Sequence, residues 1–157
     1  NAVMVNADSV GTTLFYGPGA GSEPTASAVI ADIVDVARTM DSYPDSWVPP
    51  LGIPSQSLQS LSIMNIEDVE TGFYIRFSAL DKPGVLSTVT TIMGDAGISI
   101  EAIIQRDQPA GESYVNVIIL TNVTKEKYLD EAVKHIEELD TVRGYVNFIR
   151  VEYLDQA

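Results

Sequence analysis

The chain has 157 residues, 45% of them hydrophobic and 20% charged, which is typical of a globular protein of one or two small domains. Its 22 acidic and nine basic side chains give a net charge of −13, so neither nucleic acid nor an anionic membrane is expected as a partner. The absence of cysteine excludes disulfides, thiol catalysis and cysteine-ligated zinc, and fits a reducing, cytoplasmic compartment.

The first forty residues predict a β-hairpin followed by an amphipathic helix. The runs AVMV and TTLFY flank the turn-forming NADSVG. Apolar residues then recur at helical spacing from Ala26 to Met40, and Ser22 or Thr25 can cap the helix. About forty residues rarely form a core alone, so this segment is expected to pack on something outside the sequence or on a second copy. The start at Asn1, with neither Met nor a signal-peptide pattern, indicates a fragment.

The stretch YGPGAGSEPTAS (16–27) leads into that helix and is rich in glycine, as phosphate-binding loops are. Its glycines form Gly-x-Gly-x-Gly, and Ser22 stands where a dinucleotide fingerprint requires the third glycine. No Gly-Lys-Ser/Thr follows, so a P-loop is excluded. Backbone amides near Gly19–Ser22 can still face an anion. The alternative, that the glycines only allow close packing, is favoured by the spacing alone.

Residues 41–71 contain Pro44, Pro49, Pro50 and Pro54 among Ser, Gln and Gly, and are predicted to be a linker. Residues 72–157 predict a second domain with the element order βαββαβ of a ferredoxin-like sandwich. The predicted strands are 73–80, 98–105, 113–120 and 145–154. A first helix has the apolar stripe Leu86, Val89, Met93 and Ala96 and ends at Gly97; a second is capped by Thr124 and buries Leu129, Ala132, Val133, Ile136 and Leu139.

Candidates for chemistry are few. His135 is the only histidine and falls on the outer face of the second helix, so a solvated role is expected and no metal site is predicted. The turn DKPGVL (81–86) leaves a strand and enters a helix, so its amides can bind a small carboxylate. The alternative is a plain turn in which Pro83 and Gly84 supply the geometry; physical reasoning leaves both open.

Two families resemble these two parts. Residues 72–153, with DKPGVLSTVTTIMGDAGISIEAI, resemble an ACT domain, and residues 1–40, with YGPGAGSEPTASAV, resemble the end of the catalytic region of homoserine dehydrogenase. The implied fold class is α+β: a ferredoxin-like βαββαβ ACT regulatory domain (72–157) preceded by a β-hairpin–helix fragment (1–40) of an α/β catalytic domain, with a Pro-rich linker (41–71).

The resemblance implies a function for the parent protein. Such an enzyme is an NAD(P)-dependent oxidoreductase that interconverts aspartate semialdehyde and homoserine, on the route to threonine, methionine and isoleucine. Its nucleotide fold and catalytic residues would precede Asn1, so no catalytic residue is expected in this chain. NADP or NAD is not expected to bind the fragment alone. Gly21 matches the family position that lies at the nicotinamide cofactor.

In the ACT part, the resemblance implies an effector pocket between two domains paired edge to edge. It would comprise Asp81, Lys82, Pro83, Gly84, Val85 and Leu86, with Ser99 opposite. Sensing ACT domains often have asparagine where this chain has Ser99, which affects the choice of ligand; threonine is the first candidate. Two alternatives remain: a stand-alone amino-acid-binding module, and an ACT domain used only for dimerisation.

Overall fold

The computed structural model describes residues 1–40, 49, 51–105 and 113–153. The chain divides into two compact units, Asn1–Leu61 and Ser62–Gln156, and each is described here by itself. Residues 41–48 and 50 of the predicted linker, including Pro44 and Pro50, lie outside the described residues, as does Leu154 at the end of the last predicted strand.

The first unit contains a β-hairpin and one long helix, as predicted. Strands β1 (Ala2–Ala7) and β2 (Gly11–Tyr16) pair antiparallel, and α1 runs over Ser22–Thr39. The predicted caps are wrong: Gly21 occupies the N-cap position, and no side chain caps the helix. Ser22 already lies in the helix, and Thr25 donates its backbone N–H to the carbonyl of Gly21 (3.1 Å) in the first turn.

The second unit has the element order predicted for residues 72–157, with one added short strand. It comprises β3 (Glu70–Leu80), α2 (Val85–Asp95), β4 (Ile100–Gln105), β5 (Tyr114–Thr121), β6 (Thr124–Lys125), α3 (Glu126–Glu137) and β7 (Val142–Val151). Thr124 does not cap the second helix as predicted, because it pairs with Thr71 of β3 as part of β6. The α+β, ferredoxin-like fold class is confirmed.

The sheet is antiparallel and has β3 near its centre. The strand order is β4–β5–β3, and β7 and the short β6 also pair with β3. The β3–β7 register shifts between Arg76 and Ser78, where residues 144–146 of β7 lie opposite the single residue 77. Strands β4 and β7 therefore form the two long edges, and β7 is bulged.

The core lies between one face of the sheet and the two helices. Alternate residues of β3 and β5 point inward, as the period of two requires, and meet the apolar stripes of α2 and α3. Phe73 contacts Phe148 edge-to-face with ring centroids 5.9 Å apart. The buried apolar residues are Phe73, Ile75, Phe77, Ala79, Val85, Val89, Met93, Ile98, Val115, Val117, Ile119, Leu129, Ala132, Val133, Ile136 and Val146. Both helix stripes predicted from the sequence belong to this core, although Leu86, Ala96 and Leu139 are only partly buried.

Candidate functional site

The turn between β3 and α2 places backbone donors at the start of a helix. Gly84 is the N-cap of α2 and adopts a left-handed conformation (φ 93°), which a residue with a side chain rarely adopts. The Val85 amide donates to the Lys82 carbonyl (3.3 Å). Within the described residues, the amides of Gly84, Leu86 and Ser87 have no hydrogen-bond acceptor, so they can receive an anionic group.

A small cavity of about 160 Å³ lies beside this turn. All six residues of 81–86 line it, together with Val115 and Val117 of β5 and Gln105 at the end of β4. Pockets for drug-sized ligands have about 300–1,000 Å³. The cavity therefore has the size for a small metabolite such as a free amino acid, and not for a dinucleotide.

Gln105 is a residue of this site that the sequence reasoning missed. Its Nε2 donates to Asp81 Oδ1 (3.0 Å) and fixes the first residue of the turn to the end of β4. The Asp81 amide in turn donates to the Ser113 carbonyl (3.0 Å). The signal was present in the predicted element order, because β3 and β4 of a ferredoxin-like sheet run parallel and so finish at the same end of the sheet.

Ser99 does not join the other predicted effector residues within one chain. It precedes β4, whereas Gln105 ends that strand, so about 20 Å of extended chain separates the two. The Ser99 hydroxyl accepts a hydrogen bond from Asn122 Nδ2 (3.0 Å) at the opposite end of the sheet. Ser99 is absent from the lining of the turn cavity, and its place in an effector pocket stays a prediction that requires a second copy.

Gly21, the predicted cofactor residue, lies where the glycine-rich stretch enters α1. Its φ of 142° favours glycine, and an added Cβ would lie 3.2 Å from Cδ of Pro24. Within the described residues, the amides of Ser22 and Glu23 have no acceptor. This geometry can serve as one wall of an anion or cofactor site, and the role of Gly21 stays a prediction.

The hairpin and α1 expose a large apolar surface. No residue of α1 is buried, and Ile33, in the middle of its apolar stripe, is 57% exposed. The other exposed apolar residues of this part include Val3, Met4, Val5, Val10, Leu14, Phe15, Tyr16, Val29, Ile30, Val34, Val36 and Met40. Exposed apolar side chains in this number are typical of an interaction site.

Other candidate features are less suited to bind an anion. His135 is exposed and its Nδ1 lies 3.5 Å from Glu138 Oε2, in agreement with the predicted solvated position. A larger cavity of about 590 Å³ beside it is also lined by the carboxylates of Asp95, Glu131 and Glu138, which repel an amino-acid carboxylate. Within the described residues, no three His, Asp or Glu side chains are arranged to hold a metal ion.

The charged groups with shifted pKa values lie away from the turn. The hydrogen bond to the buried carboxylate of Glu126 raises the pKa of the Arg150 guanidinium. Burial, and then the nearby charge of Glu126, raises the pKa of Asp130. The hydrogen bond to Glu101 raises the pKa of the Tyr153 hydroxyl. None of these three groups belongs to the turn 81–86.

Comparison with known protein families gives two matches. The ACT domain family matches residues 73–141, and the homoserine dehydrogenase family matches residues 1–34.

None of the helices in the described part of the chain has the length and apolar character to span a bilayer.

Individual relatives match nearly the whole chain. A homoserine dehydrogenase from Pseudomonas aeruginosa is 46% identical over 155 residues, which cover 99% of this chain and 36% of the relative. One from Neisseria gonorrhoeae is 41% identical over 98% of this chain and 35% of the relative. The crystal structure of a homoserine dehydrogenase from Thiobacillus denitrificans is 46% identical, with a TM-score of 0.72 over 96% of this chain and 33% of that chain. The chain thus spans 36% or less of the length of these relatives.

Proposed function

We propose that this chain, which corresponds to the C-terminal part of homoserine dehydrogenases, is the regulatory, amino-acid-sensing portion of such an enzyme. The parent enzyme would be a cytoplasmic NAD(P)-dependent oxidoreductase that interconverts aspartate semialdehyde and homoserine in threonine, methionine and isoleucine biosynthesis. The observation that carries the regulatory proposal is the turn 81–86, where unpaired amides border a cavity of about 160 Å³ inside an ACT domain.

The proposed ligand is a free amino acid that binds by its carboxylate. The amides of Gly84, Leu86 and Ser87 lie at the N-terminal end of α2, which is the positive end of its dipole, where a carboxylate is stabilised. Val115 and Val117 offer an apolar wall to a short side chain. Threonine is the first candidate, because it has a short side chain with a methyl group and is an end product of the proposed pathway.

The proposed assembly is a dimer through the edge strand β4. One side of β4 pairs with β5, and within the described residues its other side has no partner. Ile103 and Ile104 of this edge are 38% and 46% exposed. Antiparallel pairing of β4 with its own copy would bring Ser99 of the second copy beside Gln105, and hence beside the turn 81–86. Each effector pocket would then contain residues from both copies.

The first unit is proposed to complete the catalytic region. The exposed apolar faces of the hairpin and α1 would pack on the part of the parent enzyme that these 157 residues do not include, since the relatives are far longer. Gly21 and the free amides that follow it would form one wall of the site for NADP or NAD, which supplies or accepts the hydride. The residues that bind the rest of that cofactor are proposed to lie in the same missing part.

Calorimetric titration of the 157-residue chain with threonine, isoleucine, methionine and serine tests the sensing proposal. We expect threonine to bind and Gly84→Ala to weaken it at least about tenfold, because the added Cβ disturbs the conformation that presents the amides. Gly97→Ala is the matched control, since Gly97 also has a positive φ (75°) and open space around it but lies beyond the other end of α2. If none of the four amino acids gives a measurable heat of binding, the sensing proposal is contradicted.

An activity measurement tests the proposed division of labour. We expect no homoserine-dependent reduction of NADP by the 157-residue chain alone, because the proposed catalytic residues lie outside it. Measurable turnover by the purified chain would contradict the proposal that the missing part is required.

A purely dimerising ACT domain is the second candidate function, and the exposed apolar residues of β4 favour it specifically. Sedimentation measures the oligomeric state of the wild-type chain and, in a separate sample, of the Ile104→Lys variant. With the titration, it distinguishes amino-acid sensing from dimerisation alone. A wild-type dimer that becomes a monomer in the variant, together with no amino-acid binding by the wild type, supports dimerisation alone. A wild-type monomer at high concentration contradicts it.

A further inference from the structure

Helix α3 and the residues after it are hydrogen-bonded to both ends of β3. At its N-terminal end, the Glu126 amide donates to the carbonyl of Val69, directly before β3 (3.1 Å). Beyond its C-terminal end, the Thr141 carbonyl accepts a hydrogen bond from the Leu80 amide (2.8 Å). Leu80 directly precedes the turn 81–86. The segment 126–141, which comprises α3 and the four residues after it, is therefore bonded to the residue before the proposed effector turn and to the residue before β3.

The turn and the leading residues cannot contact each other directly. They lie at opposite ends of β3, whose eleven residues extend over about 35 Å. An influence of the turn on the chain that precedes β3 must pass along β3 itself or through an element that is bonded near both of its ends.

Helix α3 is suited to pass on a displacement, because it is held as one body. Leu129, Ala132 and Ile136 are completely or almost completely buried against the sheet. Arg150 of β7 donates two hydrogen bonds to the Glu126 carboxylate at one end, and Glu137 accepts the Val146 amide (2.8 Å) at the other. A closely packed helix fixed at both ends shifts as a unit rather than bending.

The leading segment, residues 66–71, is attached to the start of α3 by two ion pairs. Lys127 Nζ lies 3.3 Å from Asp68 Oδ1, and Lys125 Nζ lies 3.6 Å from Glu70 Oε1. All four side chains are substantially exposed, and ion pairs in such surroundings are weak. They can therefore open without unfolding of the domain, unlike the buried contacts of α3.

We propose that α3 transmits the state of the turn 81–86 to the leading segment, and so to the linker that precedes it. A ligand that displaces Leu80 would pull on Thr141 and, through residues 138–140, on the C-terminal end of α3. The helix would then shift at Lys125 and Lys127 against Asp68 and Glu70. This regulatory role rests on the proposed function only in that the turn is the effector site; the mechanical coupling itself does not require a ligand.

Amide hydrogen exchange of the 157-residue chain tests the coupling without a ligand. Gly84→Ala perturbs the turn, and Lys125→Ala with Lys127→Ala removes the ion pairs. We expect Gly84→Ala to raise exchange in residues 66–71 by about two- to thirty-fold, the range of coupling through packed networks. In the Lys125→Ala/Lys127→Ala background this increase should disappear. The matched control is Lys134→Ala, which should preserve the increase, because Lys134 is an exposed lysine of α3 with no ion pair among the described residues.

Two results overturn the proposal: no change in residues 66–71 on Gly84→Ala, or equal increases with and without the two lysines. Pro83→Ala replaces Gly84→Ala if that variant unfolds.

A parallel measurement with threonine distinguishes the sensing proposal from the coupling proposal. If threonine leaves the exchange of residues 81–87 unchanged, the sensing function fails, whereas the Gly84→Ala result still decides the coupling.

Discussion

The two units of this chain use the same kinds of element but differ in what those elements bury. Residues 1–40 pair two strands and form an 18-residue helix without burying any residue of that helix. The described residues of 70–153 bury sixteen apolar side chains between a sheet and two helices. A clear amphipathic pattern therefore specifies a helix and its apolar face, whereas the stability of a domain also requires a partner for that face.

A matched pair of phenylalanines gives the largest expected contrast. Phe73 is fully buried and Phe15 is 62% exposed. Phe73→Ala should lower the free energy of unfolding by about 3–5 kcal/mol, because it removes core contacts and leaves a cavity. Phe15→Ala should change it by less than about 0.5 kcal/mol. Urea unfolding followed by circular dichroism measures both; equal effects would mean that residues 1–40 have a core of their own.

Two arginines extend the comparison to charged groups. Arg150→Ala leaves the carboxylate of Glu126, which is 5% exposed, without its two donors, and should cost about 2 kcal/mol. Arg38→Ala, at the exposed end of α1, should have no measurable effect in the same urea experiment. An Arg150 variant as stable as the wild type would show that Glu126 finds other donors or water.

Two glycines test backbone conformation in each unit. Gly84→Ala should destabilise the second unit by about 1 kcal/mol, since a Cβ is disfavoured at φ 93° even though the space around it is open. Gly21→Ala is also strained, but it should leave the cooperative urea transition unchanged because that transition belongs to the second unit. If Gly21→Ala shifts the midpoint of the transition, the stabilities of the two units are coupled, contrary to this prediction.

The smallest expected effect concerns Asp130, whose pKa is raised by burial and by Glu126 one turn earlier. The folded state binds the proton more tightly than the unfolded chain, so the carboxylate destabilises the fold above its folded pKa and not below its unfolded pKa. Asp130→Asn should therefore stabilise the chain by about 0.2–0.5 kcal/mol at neutral pH. This gain should shrink as the pH falls through the carboxylate range, and Asp32→Asn on α1 should give no gain.

The sequence predicted most of the second unit because its patterns and its packing agree. The stripe Val89–Met93 and the inner face Leu129–Ile136 are apolar at helical spacing and are buried in the structure. The prediction of Thr124 as a helix cap was wrong. Residue type alone does not show that β3 begins at Glu70 and that its Thr71 pairs with Thr124.

The candidate site was predictable in part. The turn 81–86 follows from Pro83 and Gly84 between a strand and a helix, and the structure brings its six residues to one cavity. Gln105 was missed because its contact with Asp81 depends on the relative ends of strands that are distant in sequence. Ser99 cannot be connected to the turn from one chain, because the separation along β4 is set by the strand length.

The bulge in β7 makes the two long edges of the sheet unequal. Strand β4 has one register shift, between Ile100 and Ala102 near its start, whereas β7 is interrupted near its middle, where three residues lie opposite one residue of β3. A bulge disrupts the ladder locally, and a bulged edge is less suited to pair with a further strand. If two copies pair through β4, as proposed, the long edges left on the joined sheet are both β7. The bulge in β7 would then oppose the addition of a third copy.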